Sequence, residues 1–536
     1  MTFRSPGPRR AQNSYRATLA TVFTASLSAS ILSAPAIASA QTMSSSGAQT
    51  DAVDSIILGV GATESEVMLT WMSSLAIRDE YAVIAPTAEM NGEEFPESAQ
   101  IIPAQQELTR VARYANDVKI TGLDPATDYT YKVGSDSHGW STNSTFTTGH
   151  SGDEWNFLFY GDPQLGSGEL DADTAGWHNT VARSTAQFPD ASFLLSAGDQ
   201  VDSVLQKEHR AFKSARQLRS YPVAVNNGNH DVLDFQLYRQ NYSWPNVSNE
   251  HTERNYFLEH NNALVISLDG NQSLSTHIDK HAAYVKDVVA KHGGDKEWII
   301  TTLHQPPFSQ AYHMDDLGAQ KFRESLTPAL SEAGVDLVLN GHDHIYTRTH
   351  LMKGSAPVVP AELPAQGDIL YPEDDEVLYL TGNSSSGSKF YPFWKNGTEY
   401  DNLTVEESRE QDLMQDWTAM WNQNYTPNYS NIQLSDQELT VTTYNAEDGT
   451  VVDEVTLSNQ EDPAGPHETP ADSLDDAPPR PPAPPRVQGL PGVLEVLDKA
   501  FCFGVRDILK PQLDLVHRSA KLALGQQGFN HLRLVI

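Results

Sequence analysis

Apolar positions change their rhythm along this chain. From about Asp54 to Thr148 they fall in short alternating runs broken by turn residues. Val67-Met68-Leu69-Thr70-Trp71, Val118-Lys119-Ile120-Thr121 and Tyr129-Thr130-Tyr131-Lys132-Val133 all show the period of half-buried β-strands. About a hundred residues of that pattern is the size of an immunoglobulin-like sandwich. From Trp155 to about Arg348, apolar strand-like runs alternate with helical stretches. Residues 172–188 and 280–291 read as helices, and 255–260 with 263–269 as a hairpin turning at Asn261-Asn262. Later strands are expected at 377–381, 433–434, 439–444 and 451–457, the last two joined at Glu447-Asp448-Gly449.

The ends of the chain follow neither pattern. Residues 1–40 carry Arg4, Arg9, Arg10 and Arg16, no acid, a weakly apolar stretch over 17–38 and then Ala38-Ser39-Ala40. That layout is an export signal, with an uncleaved anchor as the competing reading and both the Sec and twin-arginine routes open. No later window approaches about eighteen consecutive apolar residues. The mature chain is therefore expected to lack a transmembrane span and to be secreted, periplasmic or otherwise extracytoplasmic. After Ser458 the composition turns to Pro, Ala and acid, an extended linker over 459–487. Residues 488–536 form a mildly basic tail without an assigned role.

At 536 residues the chain exceeds one core, so about three domains or fewer are expected beside the tails. The 36 Lys and Arg residues against 70 Asp and Glu give a formal net charge of −34 at pH 7. A surface that negative excludes a nucleic-acid binder driven by charge. The single cysteine, Cys502, excludes intramolecular disulfides and Cys-rich metal sites, so any metal must be held by Asp, Asn, Gln and the 18 histidines.

Five apolar runs end in such groups. Residues 156–160 run into Gly161-Asp162-Pro163-Gln164, and 192–197 into Gly198-Asp199. Residues 221–225 lead to Gly228-Asn229-His230-Asp231, 298–303 to His304, and 335–340 to Gly341-His342-Asp343-His344. Buried strands that stop in Asp, Asn or His set those side chains at the carboxyl edge of a sheet, where ligand sites of open α/β folds collect. A glycine before four of the five lets the backbone turn sharply and aim the next side chain. Each piece alone reads as an ordinary turn or a core histidine; all five in this order at strand ends do not.

Together these motifs resemble the calcineurin-like metallophosphoesterases, and within them the purple acid phosphatase branch. The segment 122–129, ending in Tyr129, resembles a fibronectin type III corner, and the 384–390 loop and final hairpin are similar to that branch less specifically. The resemblance implies a fibronectin III-like all-β sandwich over 54–150. Over 154–458 it implies an α/β metallophosphoesterase fold with two central mixed sheets flanked by helices.

It also implies two metal ions, with Asp162 and His344 on the first, Asn229, His304 and His342 on the second, and Asp199 bridging both. Oxygen donors and imidazoles suit Fe, Mn or Zn, and the residues do not choose among them. The substrate implied is a phosphate monoester, hydrolysed by hydroxide generated on the metals. His230 would serve as proton donor with Asp231 orienting its ring, and His313 as a second acid.

The chain departs from that branch at two positions. Asp202 stands where the purple enzymes place a tyrosinate three residues after the bridging Asp, and Gln164 stands where other metallophosphoesterases place a histidine. Either Gln164 coordinates through its amide oxygen or water fills its place; Asp202 is either a partner behind the ligands or a helix cap. These exchanges keep a phosphodiesterase or nucleotide hydrolase open. A secreted adhesion protein with a degraded site is the alternative of another class. Oligomeric state is not encoded in any of these features.

Overall fold

A computed structural model describes residues 53–75, 78–149, 152, 154–248 and 254–461. The stretch read as an export signal, the tail and nearly all of the Pro-rich linker lie outside the described residues. Among the described residues no helix is long and apolar enough to cross a membrane.

The alternating N-terminal runs form two facing sheets. Val53–Val60, Val67–Ser74, Arg113–Ile120 and Gln105–Leu108 pair on one side. Tyr81–Pro86, Gln100–Pro103, Asp128–Ser135, Gly139–Trp140 and Ser144–Thr147 make the other. Every second side chain turns inward, as a strand period of two requires, so Leu58, Leu69, Trp71, Ile84, Val118, Tyr131, Val133 and Phe146 share one core. Two polar tips inside it find partners: Trp71 Nε1 donates to Glu80 Oε2 at 2.7 Å, and the Asp124 N–H donates to the Tyr129 hydroxyl at 3.0 Å.

The following α/β part holds two mixed sheets. In the first, Trp155–Tyr160, Leu194–Ser196 and Val223–Val225 run parallel. Antiparallel Asn428–Leu434, Glu438–Asn445 and Val451–Ser458 extend it on the Trp155–Tyr160 side. In the second, Ala263–Leu268, Trp298–Leu303, Leu337–Asn340 and Glu376–Thr381 are parallel, edged by antiparallel Tyr256–His260, Tyr346–Thr349 and Thr418–Asn422. Strands such as Val223–Val225 are buried at every position, which is why they read as unbroken apolar runs. The inner faces meet in a core containing Phe157, Phe193, Leu195, Val265, Ile300, Leu339 and Leu380. Helix Leu170–Gln187 covers the first sheet with Trp177 and Val181; helix Ser275–His292 covers the second with Ile278, Val285 and Val288.

The sheet of the N-terminal sandwich does not end at the sandwich. Val53–Val60 pairs in parallel with Val223–Val225 through Gly59 and Val223, so a single eleven-stranded sheet runs through both halves.

Candidate metal centre

All five motifs sit immediately after parallel strands, at the carboxyl ends of the two sheets. His344 Nε2 lies 3.1 Å from Asp162 Oδ2, and His304 Nε2 lies 3.2 Å from Asp199 Oδ2 and 3.9 Å from Asp162 Oδ2. The His342 N–H donates to Asp162 Oδ1 at 2.7 Å, and ligand atoms of Asp199, His304 and His342 lie within 4.8 Å of one another. Asn229 is buried between Gly228, which packs against Asp199, and His230, whose N–H donates to Asp199 Oδ1 at 2.9 Å. Gln164 joins the group through its own N–H, which donates to the Asp199 carbonyl at 2.7 Å.

The backbone is strained where these side chains leave it. Gln164, Asp199, His342 and His344 all have positive φ, at 36°, 45°, 72° and 44°. Non-glycine residues seldom adopt that region, and a cluster of them persists only where the surroundings enforce it. The motif glycines serve mainly to leave space rather than to turn. Of the four, only Gly198 has positive φ, at 109°. A Cβ on Gly228 would collide with Asp199 Oδ1, and one on Gly341 with Asp162 Oδ1.

Some of the donor atoms have no hydrogen-bond partner in the protein itself. Asp162 Oδ2, Gln164 Oε1, Asn229 Oδ1 and His304 Nε2 are buried without a hydrogen-bond partner. Partnerless buried atoms occur elsewhere in the fold as well; these four are set apart by lying on the motif loops beside Asp199, His342 and His344, and such a set of oxygen and imidazole donors fits a cation cradle. The remaining ring nitrogens are held from behind. His304 Nδ1 meets the Ala197 carbonyl at 2.9 Å, and His344 Nδ1 the Lys389 carbonyl at 2.9 Å. Each carbonyl accepts the Nδ1 proton and leaves Nε2 for the site.

Charge coupling within the group is strong. Burial alone would raise the Asp199 carboxyl, but the His304 and His230 rings outweigh it and hold it below the usual carboxylate range. Burial would likewise lower His304, but Asp199 and Asp162 raise it to about 10. His342 is driven well down by burial and then by the neighbouring imidazoles.

One expected role is corrected. The Asp231 carboxylate does not orient the His230 ring. It is fully buried and accepts backbone N–H bonds from Gly228 at 2.8 Å, Gln200 at 3.1 Å and Val201 at 3.4 Å, stitching the two motif loops together. The His230 ring is held instead by Asp202, whose carbonyl is 2.7 Å from Nδ1. His313 lies beside the site: its ring packs against that of His342 with centroids 4.0 Å apart and the planes tilted by 34°. Its Nδ1 bonds Asp316 Oδ2 at 2.7 Å, and its N–H donates to Asp343 Oδ1 at 3.2 Å.

Sequence reasoning passed over Asp316, and it noted the serine loop at 384–390 only as a likeness, without a role. The spacing His313-x-x-Asp316 in a short helical turn was the available signal for the first. For the second it was four serines in five residues. The hydroxyls of Ser384, Ser385, Ser386 and Ser388 donate to the carbonyls of Asp162, Gly161, Pro163 and Pro163, clamping the Asp162 loop from outside.

Two mixed sheets whose parallel strands end in this donor set define a metallophosphoesterase of the calcineurin type. Comparison with known proteins agrees. Residues 53–148 match the purple acid phosphatase N-terminal domain model, and residues 156–346 the calcineurin-like phosphoesterase model. The chain thus carries a calcineurin-like phosphoesterase domain behind an N-terminal domain of the purple acid phosphatase type. Purple acid phosphatase 15 of Arabidopsis thaliana is 23% identical over 136 residues, which are 24% of this chain and 25% of that protein. The match thus spans about a quarter of the relative's length. The solved purple acid phosphatase PPD1 of yellow lupin (Lupinus luteus) seeds superposes with a TM-score of 0.58 at 15% identity, covering 76% of this chain and 74% of that one. A structure of PhoD gives 0.52 at 12% identity, covering 76% and 90%. These two likenesses concern the fold.

Proposed function

We propose that the protein is an extracytoplasmic phosphoesterase that holds two metal ions and hydrolyses phosphate monoesters. The observation that carries this reading is the set of four partnerless buried donor atoms on Asp162, Gln164, Asn229 and His304, whose loops are bonded to, or lie against, those of Asp199, His342 and His344. Asp162, Gln164 and His344 would hold one cation, Asn229, His304 and His342 the other, with Asp199 between them. When bound, a cation pair supplies a positive field for the phosphate, Lewis acidity at phosphorus and a water of lowered pKa. That local field also counters the −34 net charge, which would otherwise repel an anionic substrate.

The residues of the chain perform the rest. Asp231 and the serine clamp fix the loops that carry the donors, limiting reorganisation during the reaction. His230 presents Nε2 to the site 4.0 Å from Asp199 Oδ2, with its Nδ1 proton tied to a carbonyl; as an imidazolium, protonated on Nε2 as well, it would donate that second proton to the leaving oxygen of a bound phosphate. His313, buttressed by Asp316 and packed against the His342 ring, would supply a second donor.

A phosphodiesterase reading is favoured by one feature, the Gln164–Asp202 pair, with Gln164 Nε2 3.1 Å from Asp202 Oδ1 where a tyrosinate would stand in the purple branch. Purified protein should contain two metals per chain and turn over p-nitrophenyl phosphate faster than bis(p-nitrophenyl) phosphate. Asp199→Asn should lose metal and cost orders of magnitude in rate. Unchanged turnover in that variant rejects the site, absence of metal favours a binding protein, and the reverse substrate order favours the diesterase.

A further inference from the structure

Asp202 touches two groups of the site through two different atoms. Its carboxylate Oδ1 accepts from Gln164 Nε2 at 3.1 Å, and its carbonyl meets His230 Nδ1 at 2.7 Å. We propose that Asp202 is a positioning residue whose carboxylate fixes which face of the Gln164 amide is presented to the metals. The proposal rests on the metal-holding reading of Asp162, Gln164 and His344 given above.

The chemistry of the contacts fixes both orientations. A carboxylate oxygen accepts and an amide NH2 donates, so the contact selects the NH2 end of the amide. Reversing the amide would set Gln164 Oε1 against Asp202 Oδ1 and leave the buried NH2 unsatisfied. The carbonyl oxygen of Gln164 is thereby directed away from Asp202, and it is one of the four buried atoms without a partner. A peptide carbonyl also only accepts, so His230 Nδ1 carries a proton and Nε2 is the nitrogen left for the site.

The loops are arranged to hold this geometry. Gln164 N–H donates to the Asp199 carbonyl at 2.7 Å, Leu165 N–H to the Gln200 carbonyl at 3.2 Å, and Asp202 N–H to the Leu165 carbonyl at 3.0 Å. Leu165 and Val201 form a parallel bridge between the two loops. This short ladder sets Asp202 opposite Gln164 irrespective of its own side chain. The Asp202 side chain is about a quarter exposed, at 28%, so replacing it leaves no buried hole.

The test uses the full chain, stripped of metal and titrated with Mn(II) by calorimetry and elemental analysis. Asp202→Ala should weaken one of two Mn(II) binding steps by about 10–100-fold, the range for removing a group that orients a ligand, and leave the other step unchanged. Asp202→Asn, whose amide oxygen can still accept from Gln164, should stay within a few-fold of wild type. In a Gln164→Ala background Asp202→Ala should add nothing. A crystal structure of metal-free Asp202→Ala should show the Gln164 amide turned from its wild-type direction. Equal Mn(II) affinities in Asp202→Ala and wild type, or an equal loss with and without Gln164, overturn the positioning role while the metal reading stands. A wild-type chain that binds no Mn(II) overturns both.

Discussion

At the scale of single residues, the site is constrained as much by what surrounds the donors as by the donors themselves. Gly228 has an ordinary backbone conformation, so alanine would be tolerated there on dihedral grounds. Its Cβ would still overlap Asp199 Oδ1 and displace the carboxylate placed between the two proposed cations. Gly228→Ala should therefore lose metal uptake with every donor intact, and destabilise the fold by about 1–3 kcal/mol as overpacking does. Gly294→Ala, with nothing within 4 Å of its Cβ, is the control and should bind metal like wild type. Elemental analysis of the two purified variants checks this, and equal metal content in both would show that the space at Gly228 is not needed. Residue types were legible in the sequence because each donor follows an apolar run. Their hydrogen bonding was not. Asp231 reaches Gln200 and Val201 across about thirty residues of chain, and its adjacency to His230 suggested a contact that the loop geometry forbids.

At the scale of elements, strands buried on both faces were the plainest to read and polar buried strands the hardest. Asn428–Leu434 was expected only at 433–434, because Asn428, Ser430 and Asn431 are polar although buried by the neighbouring strands. Helix Ser275–His292 begins five residues before its expected start, since its first turn, Ser275-Thr276-His277, carries no apolar period. The short helix Gln206–Phe212 ends on a residue that no periodicity marks as special. Lys213 is buried, with Nζ bonded to Asn241 Oδ1 at 2.8 Å and to its carbonyl at 3.3 Å. Burial pushes the ammonium down to about 7; Asp54 opposes that shift, while Arg113 and Arg210 add to it. In the unfolded chain the lysine titrates at an ordinary value near 10.5. Between those two values the unfolded state binds more protons than the folded one, so stability rises with pH across that window, by at most about 1.4 kcal/mol per unit. Lys213→Met should remove that slope. The variant should gain most over wild type at pH 7 and below, and the gap should close as pH rises toward 10. Denaturant unfolding of both proteins at pH 6, 8 and 10 checks the sign; a gap independent of pH would show that Lys213 stays charged in the fold.

At the scale of the whole molecule, the two halves read as separate domains in the sequence because their hydrophobic periods differ, yet they share one sheet. The pairing of Gly59 with Val223 was not legible, since it joins strands over a hundred and sixty residues apart by a single register position. Other links reinforce it. Tyr131, buried in the sandwich, donates its hydroxyl to the Arg219 carbonyl at 2.8 Å, and Thr70 and Ser243 hydroxyls meet at 2.8 Å. The Glu259 N–H donates to the Ala62 carbonyl at 2.9 Å, and Arg239 pairs with Glu107 at 2.8 Å. Val60 packs in the core between the two α/β sheets, and Ile57 in the core under helix Leu170–Gln187. Strand Val223–Val225 carries His230 and Asn229 on the loop after it, so the sandwich braces a strand of the site directly. Removing residues 53–148 would bare the backbone edge of that strand and the apolar surface around Val60, a template for edge-to-edge association. Residues 53–461 should accordingly unfold in one calorimetric transition with equal van't Hoff and calorimetric enthalpies, whereas residues 154–461 alone should aggregate or fail to bind metal. Cleavage at a protease site engineered into 149–154 should leave the fragments together on size exclusion. Two separate transitions, or a soluble, metal-binding 154–461 fragment, would show that the shared sheet is an incidental contact and that the site stands without it.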